Sequence, residues 1–212
     1  MFASILHYFR REAATALALA EEANRLATEQ GFSFVFTQGQ CQIGWALAEI
    51  GDIHRGLSLA AQGTQNFQAT GAETAVPLLL GQLVEMYIMA GQPETALDIL
   101  AEAFAVAART QERIYEAELY RLQGMLFLMQ ERATEEVESC YQQALISARG
   151  RQDKAHELRA AISLSRLWRQ QGECAKAYTL LAPIYSWFSE GLDTPDLLEA
   201  KALLVSLTDH RP

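Results

Sequence analysis

The stretch Ile43–Ala60 reads IGWALAEIGDIHRGLSLA and carries the feature that decides the fold. A helix-like segment ends at Gly51-Asp52, and a second helix-like segment follows directly. Glycine supplies the left-handed backbone conformation that such a tight turn requires. Similar turns recur at Gly91, at Gln130-Glu131-Arg132 and at Gly172, so positions 51, 91, 131 and 172 are separated by 40, 40 and 41 residues.

Two further features keep this period. A small or modest residue recurs in the helix after each turn, at Ala16, Gly56, Ala96, Val137 and Ala177. Polar breaks lie at residues 29–31, 69–71, 109–111 and 149–151. Regular repetition of this length predicts stacked helix pairs. Within one pair, Gly44 and Gly56 are expected where the two helices cross, because a missing side chain lets the backbones approach closely.

The period sets the expected boundaries. We expect one repeat domain over residues 1–212, with an incomplete leading unit at 1–31, helix pairs at 32–71, 72–111, 112–151 and 152–191, and a C-terminal capping helix at 192–212.

Both ends of the array carry apolar residues. Residues 1–9 are expected to be too few to form a first helix, which leaves an apolar set exposed or in contact with another chain: Phe2, Ile5, Leu6 and Phe9. The capping helix is expected to begin at Pro195 after an N-cap at Thr194. Its predicted apolar stripe consists of Leu197, Leu198, Leu204 and Val205.

These residues resemble tetratricopeptide repeats (TPR). The family pattern places Leu-Gly and an aromatic residue on the first helix of each pair. Here it reads Ile43-Gly44 with Leu47, Leu83-Val84 with Tyr87, Gly124 with Phe127, and Leu164 with Trp168. The resemblance implies an all-α fold, a right-handed superhelix (α-solenoid) of TPR-like antiparallel helix pairs. The period of about 40 exceeds the family's 34 residues, so longer helices are expected.

Longer strings carry a closer resemblance. GWALAEIGD, EAELYRLQG and LRAAISLSRLWRQQGE are similar to the C-terminal repeat region of large bacterial signalling proteins. Those proteins join a class III adenylate/guanylate cyclase or a kinase domain to a predicted signal-transduction ATPase and then to such repeats. This sequence holds neither the cyclase nor the ATPase domain, so the resemblance implies a regulatory module without their activities.

Composition excludes several classes of function. The formal net charge is -9, from 17 basic and 26 acidic residues, whereas a nucleic-acid-binding protein needs a basic surface. No apolar run approaches the roughly 20 residues that span a bilayer. The cysteines Cys41, Cys140 and Cys174 are widely spaced and form no CxxC pattern, which favours a reducing cytoplasm. We therefore expect a cytoplasmic protein that binds neither nucleic acid nor membrane.

Catalytic patterns are missing from the sequence. There is neither a GxxxxGK[ST] nor a GxGxxG segment to bind phosphate. The histidines, His7, His54, His156 and His210, are not spaced from cysteines or carboxylates as metal ligands are. We expect no catalytic residue, no metal site and no cofactor, and hence no enzyme.

The faces opposite the buried stripes of the first helices are the candidate binding groove. The residues placed there are Trp45, Glu49, Glu85, Met89, Arg121, Met125, Met129, Arg159, Arg166 and Arg169. Tryptophan and methionine suit an adaptable binding surface, and arginine can hold carboxylates bidentately. An acidic segment is therefore the predicted ligand. The alternative, that the longer helices bury these residues against second helices, stays open.

Three functions are compatible with these features. The first is a non-catalytic interaction module that binds a peptide, a protein domain or its parent signalling protein. The second is a small-molecule sensor arm of a signal-transduction ATPase or cyclase. The third is a homo-oligomeric scaffold, with a homodimer contact at the N-terminal end.

Overall fold

The computed structural model describes residues 1–208, which form eleven α-helices and contain no β-strand. The helices are α1 Phe2–Phe9, α2 Ala13–Gln30, α3 Ser33–Glu49, α4 Ile53–Ala69, α5 Val76–Met89, α6 Pro93–Thr110, α7 Glu116–Met129, α8 Thr134–Gly150, α9 Lys154–Gln170, α10 Cys174–Tyr185 and α11 Pro195–Thr208. Each odd-numbered helix from α1 to α9 is the first helix of a pair, and the helix after it is the second. Residues 209–212, and with them the predicted end of the capping helix and His210, lie outside the described residues.

The turns inside the pairs confirm the predicted register. A residue with positive φ lies at each one: Arg11, Gly51, Gly91, Glu131 and Gly172. Glu131 adopts φ 54° without being a glycine. Its turn closes as the glycine turns do, since the backbone N–H of Arg132 donates to the carbonyl of Phe127 at 3.0 Å. This bond from a residue to the carbonyl five positions earlier is the Schellman ending of a helix.

Close helix crossing explains the glycines of the opening stretch. A Cβ atom on Gly44 would lie 2.6 Å from the carbonyl oxygen of Gly56 and 2.7 Å from the backbone nitrogen of Ala60. A Cβ atom on Gly56 would lie 2.5 Å from the carbonyl oxygen of Gly44. The backbones of α3 and α4 therefore occupy the space that larger side chains would need, as the sequence predicted.

The N-terminal residues form a short first helix, so the expectation that residues 1–9 are too few is wrong. The eight residues of α1 suffice because Ser4 and Tyr8 are buried. The Ser4 hydroxyl donates to the carbonyl of Ala16 in α2 at 2.9 Å. Phe2 and Leu6 are exposed, as expected. The other two residues of the predicted exposed set, Ile5 and Phe9, are half-buried.

The chain divides into two compact units, residues 1–115 and residues from 116 onward. In the first unit the largest buried side chains include Trp45, Phe67 and Met86. Gln42 of α3 and Gln82 of α5 are also buried there and exchange amide hydrogen bonds of 3.2 and 3.4 Å. The second unit has its own core, built on Tyr141, Leu158, Leu164, Trp168, Leu181 and Leu197. The single repeat domain with the boundaries given above stays a prediction.

The last helix begins at Pro195 as predicted, but its buried face differs from the predicted stripe. The residues that it buries are Asp196, Leu197, Ala200, Leu203 and Leu207. Leu198 and Val205, which we assigned to the apolar stripe, are 52% and 57% exposed. The reason is geometric: α11 packs against α9 and α10 through one side only, and these two residues lie on the other.

Candidate functional site

Trp45 is not on an open surface. Only 1% of it is exposed, and its ring meets that of Tyr8 edge-on, with 4.7 Å between centroids and an interplanar angle of 86°. The predicted role of Trp45 as a groove anchor is therefore wrong. The open alternative named second helices as the cover, whereas Tyr8 belongs to the first helix α1. A short helix that we had not expected thus buries this tryptophan.

Polar groups accompany this aromatic contact inside the first unit. The Tyr8 hydroxyl contacts the Tyr115 hydroxyl and donates to Glu85 Oε2 at 3.4 Å. Glu85 and Glu49 are both half-buried. A carboxylate oxygen of Glu49 lies 3.9 Å from a guanidinium nitrogen of Arg11. Both predicted groove carboxylates of this unit therefore already have contacts within the chain.

Met89 is the most accessible of the predicted groove residues in the first unit. It lies at the C-terminal end of α5 and is 40% exposed. No large side-chain movement is needed before another molecule can touch it. Its flexible thioether suits contact with varied apolar surfaces.

In the second unit, a buried carboxylate organises the predicted arginines. Glu118 of α7 is fully buried and accepts two hydrogen bonds from Arg121, at 2.9 and 2.5 Å. Arg159 of α9 brings a guanidinium nitrogen within 3.7 Å of the same carboxylate. The Nε of Arg159 also donates to Asp196 Oδ2 of α11 at 2.7 Å. These four side chains connect three helices of the second unit.

The electrostatics of this cluster are dominated by the arginines. Burial alone would raise the pKa of Glu118, but the charge and hydrogen bonds of Arg121 and the charge of Arg159 lower it below its ordinary value. Glu118 is therefore ionised at neutral pH although it is fully buried. A buried charge of this kind is stable only when it is paired and hydrogen-bonded.

Arg159 is consequently unavailable to a ligand, and its predicted role in binding an acidic segment is wrong. It is 7% exposed and already lies between two carboxylates of its own chain. Arg121 is half-buried, and its Nη1 also approaches the sulfur of Met125 at 2.8 Å. Met125, too, is half-buried. Arg121 therefore bonds within α7, whereas Arg159 links α9 to α7 and α11.

Three predicted groove residues of the second unit remain accessible. Met129, at the end of α7, is 45% exposed. Arg166 is exposed and forms an ion pair of 2.9 Å with Glu199 of α11. Arg169 is exposed and donates to the hydroxyl of Ser206 at 2.9 Å, a neutral acceptor that leaves the positive charge in place.

Sequence spacing could have revealed only part of the buried cluster. Glu118 precedes Arg121 by three residues, which places them side by side on one helix and predicts an ion pair. The contact between Arg159 and Asp196 joins residues 37 positions apart, and nothing in the local sequence indicates it.

His156 lies at the start of α9, where it bonds to the N-cap residue Asp153. Asp153 is the N-cap of α9: its Oδ1 accepts from the backbone N–H of His156 at 3.1 Å, and its Oδ2 lies 2.6 Å from His156 Nδ1. Burial raises the pKa of Asp153, but its bonds to His156 outweigh that effect and lower it. The pair thus stabilises the start of a helix.

The chemistry-bearing groups of residues 1–208 are otherwise dispersed. No group of three or more histidine, cysteine or acidic side chains that could hold a metal ion occurs among these residues. Burial raises the pKa of the Cys41 thiol to about 11, so this thiol stays protonated at neutral pH. Across the same residues, every helix is too short or too polar to cross a lipid bilayer.

Comparison with known proteins identifies the fold. No protein-family model and no curated protein sequence matches the chain. BtubC from P. vanneervenii superposes with a TM-score of 0.70 at 18% identity, covering 95% of this chain and 84% of that one. A thermophilic TPR protein of Thermus thermophilus, TTC0263, gives 0.68 at 17% identity and covers 97% of both chains. A Rap protein complexed with competence and sporulation factor gives 0.65 at 11% identity, covering 98% of this chain and 63% of that one.

These likenesses define the class of protein. The chain has the all-α, TPR-like helical-repeat fold that the sequence predicted. Identities of 11 to 18% show the fold alone.

Proposed function

We propose that the protein is a non-catalytic interaction module that binds a peptide or a protein domain. The single observation that carries this proposal is the accessible set on the first helices of the second unit, where Met129, Arg166 and Arg169 combine apolar and cationic groups. Methionine adapts its shape to a partner, and arginine pairs with carboxylates. The similar Rap structure contains competence and sporulation factor, which supports a binding role for this fold.

The proposed ligand is an acidic segment, on a smaller surface than the sequence indicated. With Arg159 buried, the accessible positive charges of the predicted site are Arg166 and Arg169. Because Arg166 already pairs with Glu199, an incoming carboxylate must compete for it. Both arginines are exposed, so the interaction should weaken with added salt, which screens exposed charges over about 8–10 Å at physiological ionic strength.

The test is affinity capture followed by mass spectrometry. The full chain is compared with a variant that carries Arg166→Glu and Arg169→Glu, after thermal unfolding has shown that the two proteins have the same melting temperature. A variant with Arg55→Glu and Arg132→Glu is the matched control, because these two arginines are also exposed and each pairs with a nearby carboxylate, as Arg166 does. Capture lost only in the first variant supports the proposal. Capture that survives there assigns the arginines to solvated surface, and a wild-type chain that captures nothing contradicts the proposed function itself.

A homo-oligomeric scaffold is the second candidate. It is favoured by Phe2 and Leu6, which lie four residues apart on α1 and are 87% and 58% exposed. Two large exposed apolar side chains on one face of a helix can pack against the same face of a second copy of the chain. The sensor arm and the parent cyclase or ATPase rest on sequence resemblance alone. A cytoplasmic location is supported by the three free cysteines.

A further inference from the structure

The last helix, α11, repeats the sequence pattern of the first helix α9. Helix α9 begins at Lys154 and α11 begins at Pro195, 41 residues later. With that offset, AISLS at residues 161–165 aligns with ALLVS at residues 202–206. Both segments read Ala, two variable residues, Leu or Val, and Ser. By its pattern, α11 therefore resembles another first helix, although we predicted a capping helix at this position.

In α9 this segment is the face covered by the second helix of the pair. Leu164 is 1% exposed, and Ser165 is fully buried. The Ser165 hydroxyl donates to the carbonyl of Ala177 in α10 at 3.2 Å. The same bond joins α1 to α2, where Ser4 donates to the carbonyl of Ala16. A serine at this position thus marks the crossing of a first helix with its second helix.

In α11 the corresponding face is open. Val205, which aligns with Leu164, is 57% exposed, and Ala202 is exposed as well. Ser206, which aligns with Ser165, donates instead to the carbonyl of Leu203 in its own helix at 2.7 Å. Leu198, one turn before Ala202, is 52% exposed. Leu198, Ala202 and Val205 follow the i, i+4, i+7 spacing of one helix face, which we call the α11 face.

We propose that the α11 face binds an amphipathic α-helix of a partner protein, in the way that α10 covers α9. The proposal deepens the interaction function proposed above and rests on it. The chemistry of the partner helix follows from α10, which presents fully buried Ala177 at the crossing and fully buried Leu181 one turn later. The partner helix should carry a small residue followed four positions later by a large aliphatic one. Exposed Lys201 beside the face favours a carboxylate on that helix.

A second copy of the chain is a poorer match for this face. The repeat pattern calls for a second helix, and every second helix among residues 1–208 is already packed against its own first helix. Offering one would require a pair to open and to expose buried residues such as Ala177 and Leu181. A helix from a different protein requires no such opening.

The experiment is an NMR titration of the full chain, with isotope labels on the methyl groups of Leu, Val and Ala. A peptide of residues 173–186 is added up to millimolar concentration. This peptide carries the α10 pattern. We expect saturable shifts at Leu198, Ala202 and Val205. Val205→Asp should weaken binding at least about tenfold, because it places a charge in an apolar contact. Ile146→Asp is the matched control and should leave binding unchanged, since Ile146 is 62% exposed on α8.

Three outcomes overturn the proposal. Absence of shifts on α11 up to millimolar peptide means that the face does not accept such a helix. Shifts confined to α9 mean that the peptide displaces α10. Shifts that depend on protein concentration without peptide assign the face to a second copy. Peptide binding at α11 together with protein capture that survives Arg166→Glu and Arg169→Glu contradicts only the arginine surface on α9, so the two proposals fail separately.

Discussion

Replacing Glu118 with glutamine should destabilise the second unit severely. The carboxylate is fully buried, accepts two hydrogen bonds from Arg121 and lies 3.7 Å from Arg159. In Glu118→Gln the negative charge is lost and an amide NH2 group faces a guanidinium that also donates. Removing one partner of a buried ion pair costs about 3–5 kcal/mol. We expect the free energy of unfolding to fall by about 3 kcal/mol, the lower end of this range, because Arg159 keeps its bond to Asp196 and Arg121 is partly exposed.

The assay is thermal unfolding of the full chain at neutral pH. For a chain of this size, a loss of about 3 kcal/mol lowers the melting temperature by roughly 6–12 °C. Glu199→Gln is the matched control, because Glu199 also pairs with an arginine of α9 but that arginine is exposed. Exposed pairs contribute at most about 1 kcal/mol, so the control should move little. Equal effects of the two substitutions would refute the reasoning.

The pH dependence gives an independent check on the same residue. The pKa of Glu118 in the folded protein is lowered from the ordinary value of 4.5. A lowered folded pKa means that the unfolded chain binds the proton first, so the stabilisation is complete above 4.5 and is lost as the pH falls further. The difference in stability between wild type and Glu118→Gln should therefore be constant near neutral pH and shrink in acid. A difference that grows in acid would contradict the assigned cause.

Three further substitutions or measurements test other parts of the structure. Gly44→Leu should lower the free energy of unfolding, measured by denaturant titration, by about 3 kcal/mol, the upper end of the range for overpacking. The reason is that the Cβ atom of the leucine would meet the backbone of the neighbouring helix, and unchanged stability would disprove the close crossing. Phe2→Ser combined with Leu6→Ser should reduce self-association in analytical ultracentrifugation, and a wild-type monomer at high concentration would remove the scaffold hypothesis. In a thiol-reagent titration of the native protein, half-buried Cys174 should react first and Cys41 only on unfolding; prompt reaction of Cys41 would contradict its burial and raised pKa.

The repeat register could be read from the sequence because its signals are local. A turn with positive φ favours glycine, and a close helix crossing requires a missing side chain, so Gly51 and Gly44 indicate their roles by themselves. The turn at Glu131 was found from the period although no glycine marks it. These features depend on the backbone of a few consecutive residues, and the structure confirms them.

The short first helix was missed although a signal for it existed. Ser4 precedes Ala16 by 12 residues, as Gly44 precedes Gly56 and Ser165 precedes Ala177. We expected eight residues to be too few for a helix, and an isolated helix of that length is indeed marginal. Packing of Ser4 and Tyr8 against neighbouring helices supplies the stability that the segment lacks alone. Tertiary contact therefore decided the fate of this segment.

The candidate site, too, could be predicted only in part from the sequence. Helical periodicity alone placed Trp45 and Arg159 on the faces opposite the buried stripes, and it identified which residues share a face. It could not show that Tyr8 covers Trp45 or that Asp196 meets Arg159, because these contacts join residues 37 positions apart on separate helices. A helix face is exposed or buried according to what packs on it, and packing between helices depends on the three-dimensional path of the whole unit. The sequence alone determined the repeat and its turns; only the tertiary structure decided which of its faces remain open to a partner.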